Sequence, residues 1–437
     1  MTLQQLYDVF LAHPVVTTDS RDCPDNSLFF ALKGESFDGN KFAAAALDKG
    51  CAYAVVDEAE YAIACDDRYV LVPDVLKTLQ DLAHLHRTHF RGPVIEITGT
   101  NGKTTTKELV SAVLSAKYSV LYTKGNFNNH IGVPKTLLSL NASHEIAVVE
   151  TGANHPGEIR TLAAIVSPDC GLITNVGRAH LEGFGSFEGV IKTKAELYDN
   201  LRANPQGFIF LNADNSILAK EADGLKTVSY GKPGHGYEVE GEVVECNPFL
   251  KLKWRAKGGD GQWHEVQTHL VGAYNVDNAL AAVCVGLHFG VTPEGADQAL
   301  ANYEPTNSRS ELRKTERNTL VVDAYNANPS SMNAALENFA LMKTDGQTSK
   351  MLILGDMKEL GATSDEEHAK VISDLQRLGF SDVWLVGENF SRQASPFPIY
   401  NNVEEVKEQL RKNPVSGKLI LIKGSNSTRL YQLPELL

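Results

Sequence analysis

Residues Thr98-Gly99-Thr100-Asn101-Gly102-Lys103-Thr104 lie where an apolar run, VIEITG, gives way to a helical pattern, TTTKELVSAVLSAK. Glycines at these positions permit a tight turn in which successive backbone N–H groups and the start of the helix point at one phosphate. Lys103 supplies a mobile positive charge, and the Thr104 hydroxyl is placed to reach a magnesium ion. The spacing is the short G-x-x-G-K-T form, because position 97 is Ile rather than Gly. Glu150 closes another apolar run, EIAVVE. It offers hard carboxylate oxygens at the sheet edge where open α/β folds gather their ligands. No G-x-S-x-G elbow occurs, so a serine nucleophile is not expected. His84, His86 and His89 cluster in sequence. On a helix that spacing splays them around the axis, which predicts a solvated helix rather than a zinc site.

These residues need a scaffold, and the chain has the pattern of one. Short apolar runs alternate with helical stretches over most of the length, as in parallel sheets built from βα units. After the phosphate loop come EIAVVETGAN with GEIRTLAAIV, then CGLITNVG with a helix around Lys192 to Leu201. Residues 237–271 break the rhythm: VEGEVVEC, FLKLKWRA and HEVQTHLVG predict antiparallel strands with the turn GGDG, followed by the helix NALAAVCVGLHFG. A second alternating set has LVVDAYNANP, MLILGDMKELG, DVWLVGENF and KLILIKGSNS as strands. Ahead of the loop sit the shorter strands SLFFALKG and YAVVD and a small helix, FAAAALDKG. The expected fold is α/β in three domains. They are a small N-terminal α/β module (1–80), a central phosphate-loop domain with a mainly parallel sheet (81–306), and a C-terminal Rossmann-like domain (307–437).

With 437 residues, the chain has room for two to four such domains. Lys plus Arg number 41 against 54 for Asp plus Glu, a formal charge of −13, which argues against a general nucleic-acid or anionic-membrane binder. Six scattered cysteines without a C-x-x-C pair fit free thiols in a reducing compartment. The start, MTLQQLYDVF, has no basic stretch leading into an apolar one, and no run of 18 apolar residues occurs. No membrane insertion and a cytoplasmic location are expected.

The loop and several distant segments together resemble the Mur ligase family, ATP-dependent amide-forming enzymes of bacterial cell-wall precursor synthesis. TGTNGKTT (Thr98 to Thr105) matches that family's phosphate loop, and the resemblance spans essentially the whole chain. Thr18-Asp19-Ser20-Arg21 and LFFALKGESFDGNKF look like its UDP-sugar-binding segment, and GNFNNHIGVPKTLL like its muramyl-substrate loop. VVETGANHPGEI, NVGRAHLEGFGS, DAYNANPSSM, LGDMKELG and KGSNS complete the pattern. DAYNANPSS with LGDMKELG resembles the branch that adds D-alanyl-D-alanine to UDP-N-acetylmuramoyl-tripeptide. Sister branches typically carry an Asp-Asn-Pro motif there.

The resemblance implies roles residue by residue. Gly99, Thr100, Asn101, Gly102, Lys103, Thr104 and Thr105 would hold ATP. Thr104 and Glu150 would hold the nucleotide magnesium, and His180 a second magnesium near the acyl phosphate. Lys194, in IKTKAEL, matches a lysine that is carbamylated, with Lys192 as a rival. Asn275 would contact adenine, although Tyr274 stands where the family has His. Arg309 would clamp phosphate, although Ser308 stands where the family has Gly. Asp323 would lie near the ribose, Asn326 and Asn328 near D-alanyl-D-alanine, and Lys423 near a carboxylate or phosphate. Ser20 and Arg21 would meet the UDP end, and Asn128, Asn129 and His130 the muramyl substrate. Those two asparagines could equally cap the following helix.

The implied reaction transfers the ATP γ-phosphoryl group to the tripeptide carboxylate, and the incoming amine then displaces phosphate. Both steps gather negative charge, so cations and oriented donors carry the catalysis, with Lys103, Lys194, His180 and Arg309 as the catalytic set. A monomer with two magnesium sites is expected. Alternatives are a sister ligase adding one amino acid, or a non-catalytic nucleotide-dependent switch.

Overall fold

A computed structural model describes residues 1–63, 65–258, 261–305, 311–344, 346 and 348–437. Three sheets occur among them, of four, nine and six strands.

The first sheet is parallel throughout and runs in chain order: Val16–Thr17, Leu28–Phe30, Tyr53–Val56, Tyr69–Leu71. Successive side chains of a strand point to opposite faces. Leu28 and Phe30 therefore enter a core with Leu6 and Phe10 of the helix Leu3–Ala12, while Phe29 packs with Ala43, Ala46 and Leu47 of Ala43–Asp48. Burial on both faces explains why SLFFALKG is apolar without alternation.

The central sheet runs, edge to edge, His264–Val271, Phe249–Ala256, Val239–Cys246, Lys226–Gly231, Phe208–Asn212, Cys170–Ile173, Val94–Thr98, Ile146–Glu150 and Val120–Tyr122. The three antiparallel strands expected over 237–271 are present, and Val239–Cys246 also pairs in parallel with Lys226–Gly231. Strand direction breaks there, but the sheet continues. The helices Lys103–Leu114 and Val276–His288 share one apolar core on this sheet through Val110, Val113, Val283 and Val285.

The third sheet runs Glu311–Lys314, Thr319–Asp323, Lys418–Lys423, Ser349–Gly355, Val383–Val386 and Ile399–Tyr400. Its first pair is antiparallel and the rest are parallel. The four inner strands are the apolar runs read from sequence. The two edge strands, one polar (ELRK) and one of two residues, are additions to that reading.

The helix Val75–His89 runs across position 80, and it corrects the expectation of a solvated helix. It wedges between the first two sheets, with Leu79, Leu82 and Ala83 buried in a core that also holds Phe10, Val133 and Leu162. Arg87 is buried and donates to the carbonyls of Val166 and Ser167 and to Asp169. His86 Nε2 meets the Leu140 carbonyl at 2.9 Å, leaving Nδ1 to accept from the Tyr7 hydroxyl, and His84 meets the Ile165 carbonyl. His89 Nδ1 meets the Leu85 carbonyl and its ring stacks on Tyr7, and among the described residues no group of metal-ligating side chains forms here.

Candidate active site

The phosphate loop leaves the C-terminal end of Val94–Thr98, with strands of the same direction on both sides. Its glycines are required sterically. Gly99 has φ +144°, and a Cβ there would sit 2.0 Å from Thr174 Oγ1. Gly102 has φ +78°, and its Cβ would lie 2.7 Å from Asn278 Oδ1. The turn is braced from the neighbouring strand end. Asn101 N donates to Asn175 Oδ1 (3.0 Å), while Asn175 Nδ2 and Thr174 Oγ1 donate to the Asn101 carbonyl. Lys103 Nζ folds over the loop onto the carbonyls of Gly99 (2.9 Å) and Thr100 (3.0 Å).

Below the loop, Glu150 is 1% exposed. Its Oε1 accepts from Thr104 Oγ1 (3.1 Å) and Asn128 Nδ2 (2.7 Å). Its Oε2 is buried with no hydrogen-bond partner among the described residues. Buried carboxylate oxygens are rarely left unpaired. An unpaired one beside a threonine hydroxyl is a hard-oxygen donor set of the kind magnesium takes, so these residues fit that ion.

Lys194 is 2% exposed on the helix Phe187–Ala203, with Nζ 3.4 Å from the Ala153 carbonyl and 5.5 Å from the centre of the Phe184 ring. Burial first, and the charge of Lys103 second, hold its pKa well below the ordinary lysine value. Its rival Lys192 is exposed on the same helix. His180 pairs through Nδ1 with Glu359 of the third sheet's domain, and this contact keeps the Glu359 carboxyl below the ordinary glutamate range.

That C-terminal part closes the site from above. Asn328 caps the helix Pro329–Leu341, and its Nδ2 donates to Asn101 Oδ1 at 2.7 Å, so it reaches the phosphate loop itself. Lys423 Nζ, 1% exposed, donates to Asp323 Oδ2 at 2.5 Å and lies 3.4 Å from the Asn326 carbonyl. Arg178 bridges to the buried Glu367 at 3.3 Å, and its N–H donates to Ser330 Oγ.

A cleft of about 1010 Å³ lies between these walls. It brings together Thr100, Asn101, Gly102, Lys103, Thr105, Asn128, Asn129, His130, Glu150, His180, Asn275, Asp323, Asn326 and Lys423. Thr104 stands behind its wall, buried against Glu150. Ser20 and Arg21 do not line it: Arg21 is spread over Asp19, and the Ser20 carbonyl accepts from Lys49. Arg309 lies outside the described residues. Asn129 Oδ1 accepts from the backbone N–H groups of Ile131 and Gly132 where the helix Gly132–Leu137 begins, whereas Asn128 holds Glu150. Asn275 spends its amide internally, on the Val271 carbonyl and on Asn278, which in turn accepts from Thr106. Sequence reasoning missed the bracing residues Asn175 and Asn278 and the closing residues Arg178, Glu359 and Glu367. Most fall inside quoted motifs, but no spacing rule marks them.

Three family descriptions match in order: "Mur ligase family, catalytic domain" over 14–87, "Mur ligase middle domain" over 97–286, and "Mur ligase, glutamate ligase domain" over 308–426. A UDP-N-acetylmuramoyl-tripeptide–D-alanyl-D-alanine ligase of Bacillus subtilis is 33% identical over 96% of this chain and 92% of its own. The chain belongs to the Mur ligase family. A Mur ligase with the same description from Escherichia coli is 34% identical over 89% of this chain and 86% of its own. Among solved Mur ligases, MurF from Acinetobacter baumannii superposes with a TM-score of 0.86 at 30% identity, covering 99% of this chain and 97% of that one. The MurF ligase of Thermotoga maritima in complex with ADP gives 0.85 at 27% identity, covering 98% and 97%.

Proposed function

We propose that this Mur ligase joins D-alanyl-D-alanine to UDP-N-acetylmuramoyl-tripeptide, converting ATP to ADP and phosphate. The observation that carries this reading is full-length likeness to ligases of that description, combined with one cleft walled by the phosphate loop, Glu150 and the Asp323–Lys423 region.

The chemistry follows from the placement. A tripeptide carboxylate oxygen attacks the γ-phosphorus, the β–γ bridge breaks and ADP leaves. The amine of D-alanyl-D-alanine then attacks the acyl carbon of the resulting acyl phosphate, phosphate departs, and a proton leaves the nitrogen. Lys103 neutralises charge on the transferring group, and the loop N–H groups orient it. Magnesium would be held by Thr104 and Glu150, with His180 serving a second ion; it supplies charge neutralisation of the phosphates. Lys194 suits carbamylation because carbon dioxide adds to the neutral amine, and burial favours that form. Asp323 would meet the ribose. Asn326, Asn328 and Lys423 would meet the dipeptide, and Asn128, Asn129 and His130 the muramyl part. Ser20 and Arg21 lie on the N-terminal module, which would take the UDP end. Arg309 completes the phosphate clamp in this reading. In this reading the N-terminal module would take the UDP end, the central domain ATP and the C-terminal domain the dipeptide, and we assign the enzyme to the cytoplasm as a monomer.

The test is product mass spectrometry with ATP, UDP-muramoyl-tripeptide ending in diaminopimelate or in lysine, and either D-alanyl-D-alanine or free amino acids. A product heavier by one dipeptide less water is expected. Product formed only with a free amino acid would reject the reading.

A further inference from the structure

Lys107 is fully buried, one helical turn after Thr104 on Lys103–Leu114. A buried ammonium costs free energy unless it is tightly partnered. Its Nζ donates to the Thr123 carbonyl at 2.8 Å and lies 3.4 Å from Glu108 Oε1. Thr123 is itself fully buried, and its Oγ1 accepts the backbone N–H of Glu150 at 2.9 Å. The phosphate-loop helix thus grips the end of Ile146–Glu150 twice. Thr104 holds the Glu150 side chain directly, and Lys107 holds its backbone through Thr123. The turn carrying Thr123 follows the edge strand Val120–Tyr122; the Thr123 N–H donates to the Val148 carbonyl at 3.1 Å, and Lys107 is what ties the Thr123 carbonyl to the helix.

We propose that Lys107 is a positioning residue: acting through Thr123, it fixes the Glu150 carboxylate at the spacing from the phosphate loop that a magnesium-bound nucleotide requires. This rests on the reading of Glu150 as a magnesium ligand. Outer-sphere partners of metal ligands commonly carry about 10- to 100-fold in metal affinity. Thr123 acts one bond away, on the Glu150 backbone, and Lys107 one bond further out, whereas Glu108 is the lysine's charge neighbour on the same helix.

The experiment is calorimetric titration of the full-length protein with ADP, with excess magnesium and with EDTA, the readout being the affinity gain that magnesium confers. E150Q tests the underlying reading and should abolish the gain. K107M and T123V should leave ADP affinity in EDTA unchanged and cut the gain by about 10-fold. T123S, which keeps the hydroxyl, should restore it, and E108Q should match wild type. T123V is close to isosteric and carries the test if K107M does not fold. A full gain in E150Q would overturn the magnesium seat itself. Loss in E150Q with a full gain in T123V and any folded K107M would overturn the role of Lys107 alone. So would T123S behaving as T123V, or E108Q reproducing the K107M loss.

Discussion

His180 and Glu359 pair across the seam between the central and C-terminal parts, and both hold left-handed backbone, with φ of 50° and 63°. Left-handed conformation costs a non-glycine residue about 1–2 kcal/mol, so each is kept there by its surroundings. With Asn101–Asn328 and Arg178–Glu367, this pair forms a seam between the C-terminal part and the phosphate-loop side of the cleft.

Removing Glu359 should loosen that seam. E359A is expected to increase the radius of gyration measured by solution scattering without ligand, and ATP analogue plus UDP-tripeptide should bring it back toward the wild-type value. A scattering curve identical to wild type in both conditions would mean that the pair does not hold the domains together.

Lys103→Ala removes the one loop cation without touching the sheet beneath. We expect turnover to fall by at least about 10³-fold, with thermal unfolding close to wild type. Wild-type-like kinetics would contradict the role of the loop.

Glu96 is fully buried in the strand that feeds the loop, and desolvation pushes its carboxyl up to about 8 against a hydrogen bond from Thr151 that lowers it. Between the ordinary glutamate value and 8 the unfolded chain has released a proton that the folded chain retains. Unfolding therefore becomes easier as pH rises through that window, by up to a few kcal/mol. Glu96→Gln removes this slope. Its melting temperature relative to wild type should climb from pH 5 to about pH 8.5, and a pH-independent difference would show that Glu96 ionises normally.

Lys194 should carry a carbamate in the working enzyme. Incubation with ¹³C-bicarbonate should give a carbamate carbonyl resonance in the NMR spectrum that is absent from Lys194→Met. Identical spectra would leave the lysine a plain amine.

Much of the scaffold is visible in the sequence because its strands are buried on both faces. VIEIT, IAVVE and CGLI are fully buried, and runs of that kind have few other folded uses. The edge strands Glu311–Lys314 and Ile399–Tyr400 lack this signal, since an edge is wet and one of them spans two residues. The helix Val75–His89 deceived for a related reason: three of its polar residues, His84, His86 and Arg87, are covered by a second domain, which an amphipathic pattern does not reveal. The phosphate loop was legible because its glycines and lysine act within a few residues of each other. The seam was not. Arg178 and Glu367 are 189 positions apart, and only the packing of two finished domains brings them together.

The most direct test follows an oxygen atom. Tripeptide precursor labelled with ¹⁸O in its terminal carboxylate is turned over with ATP and D-alanyl-D-alanine, and the released phosphate is analysed by mass. If the loop at 99–104 presents the γ-phosphoryl group to that carboxylate, each released phosphate carries one oxygen from it. Unlabelled phosphate, released alongside amide product, would contradict the account.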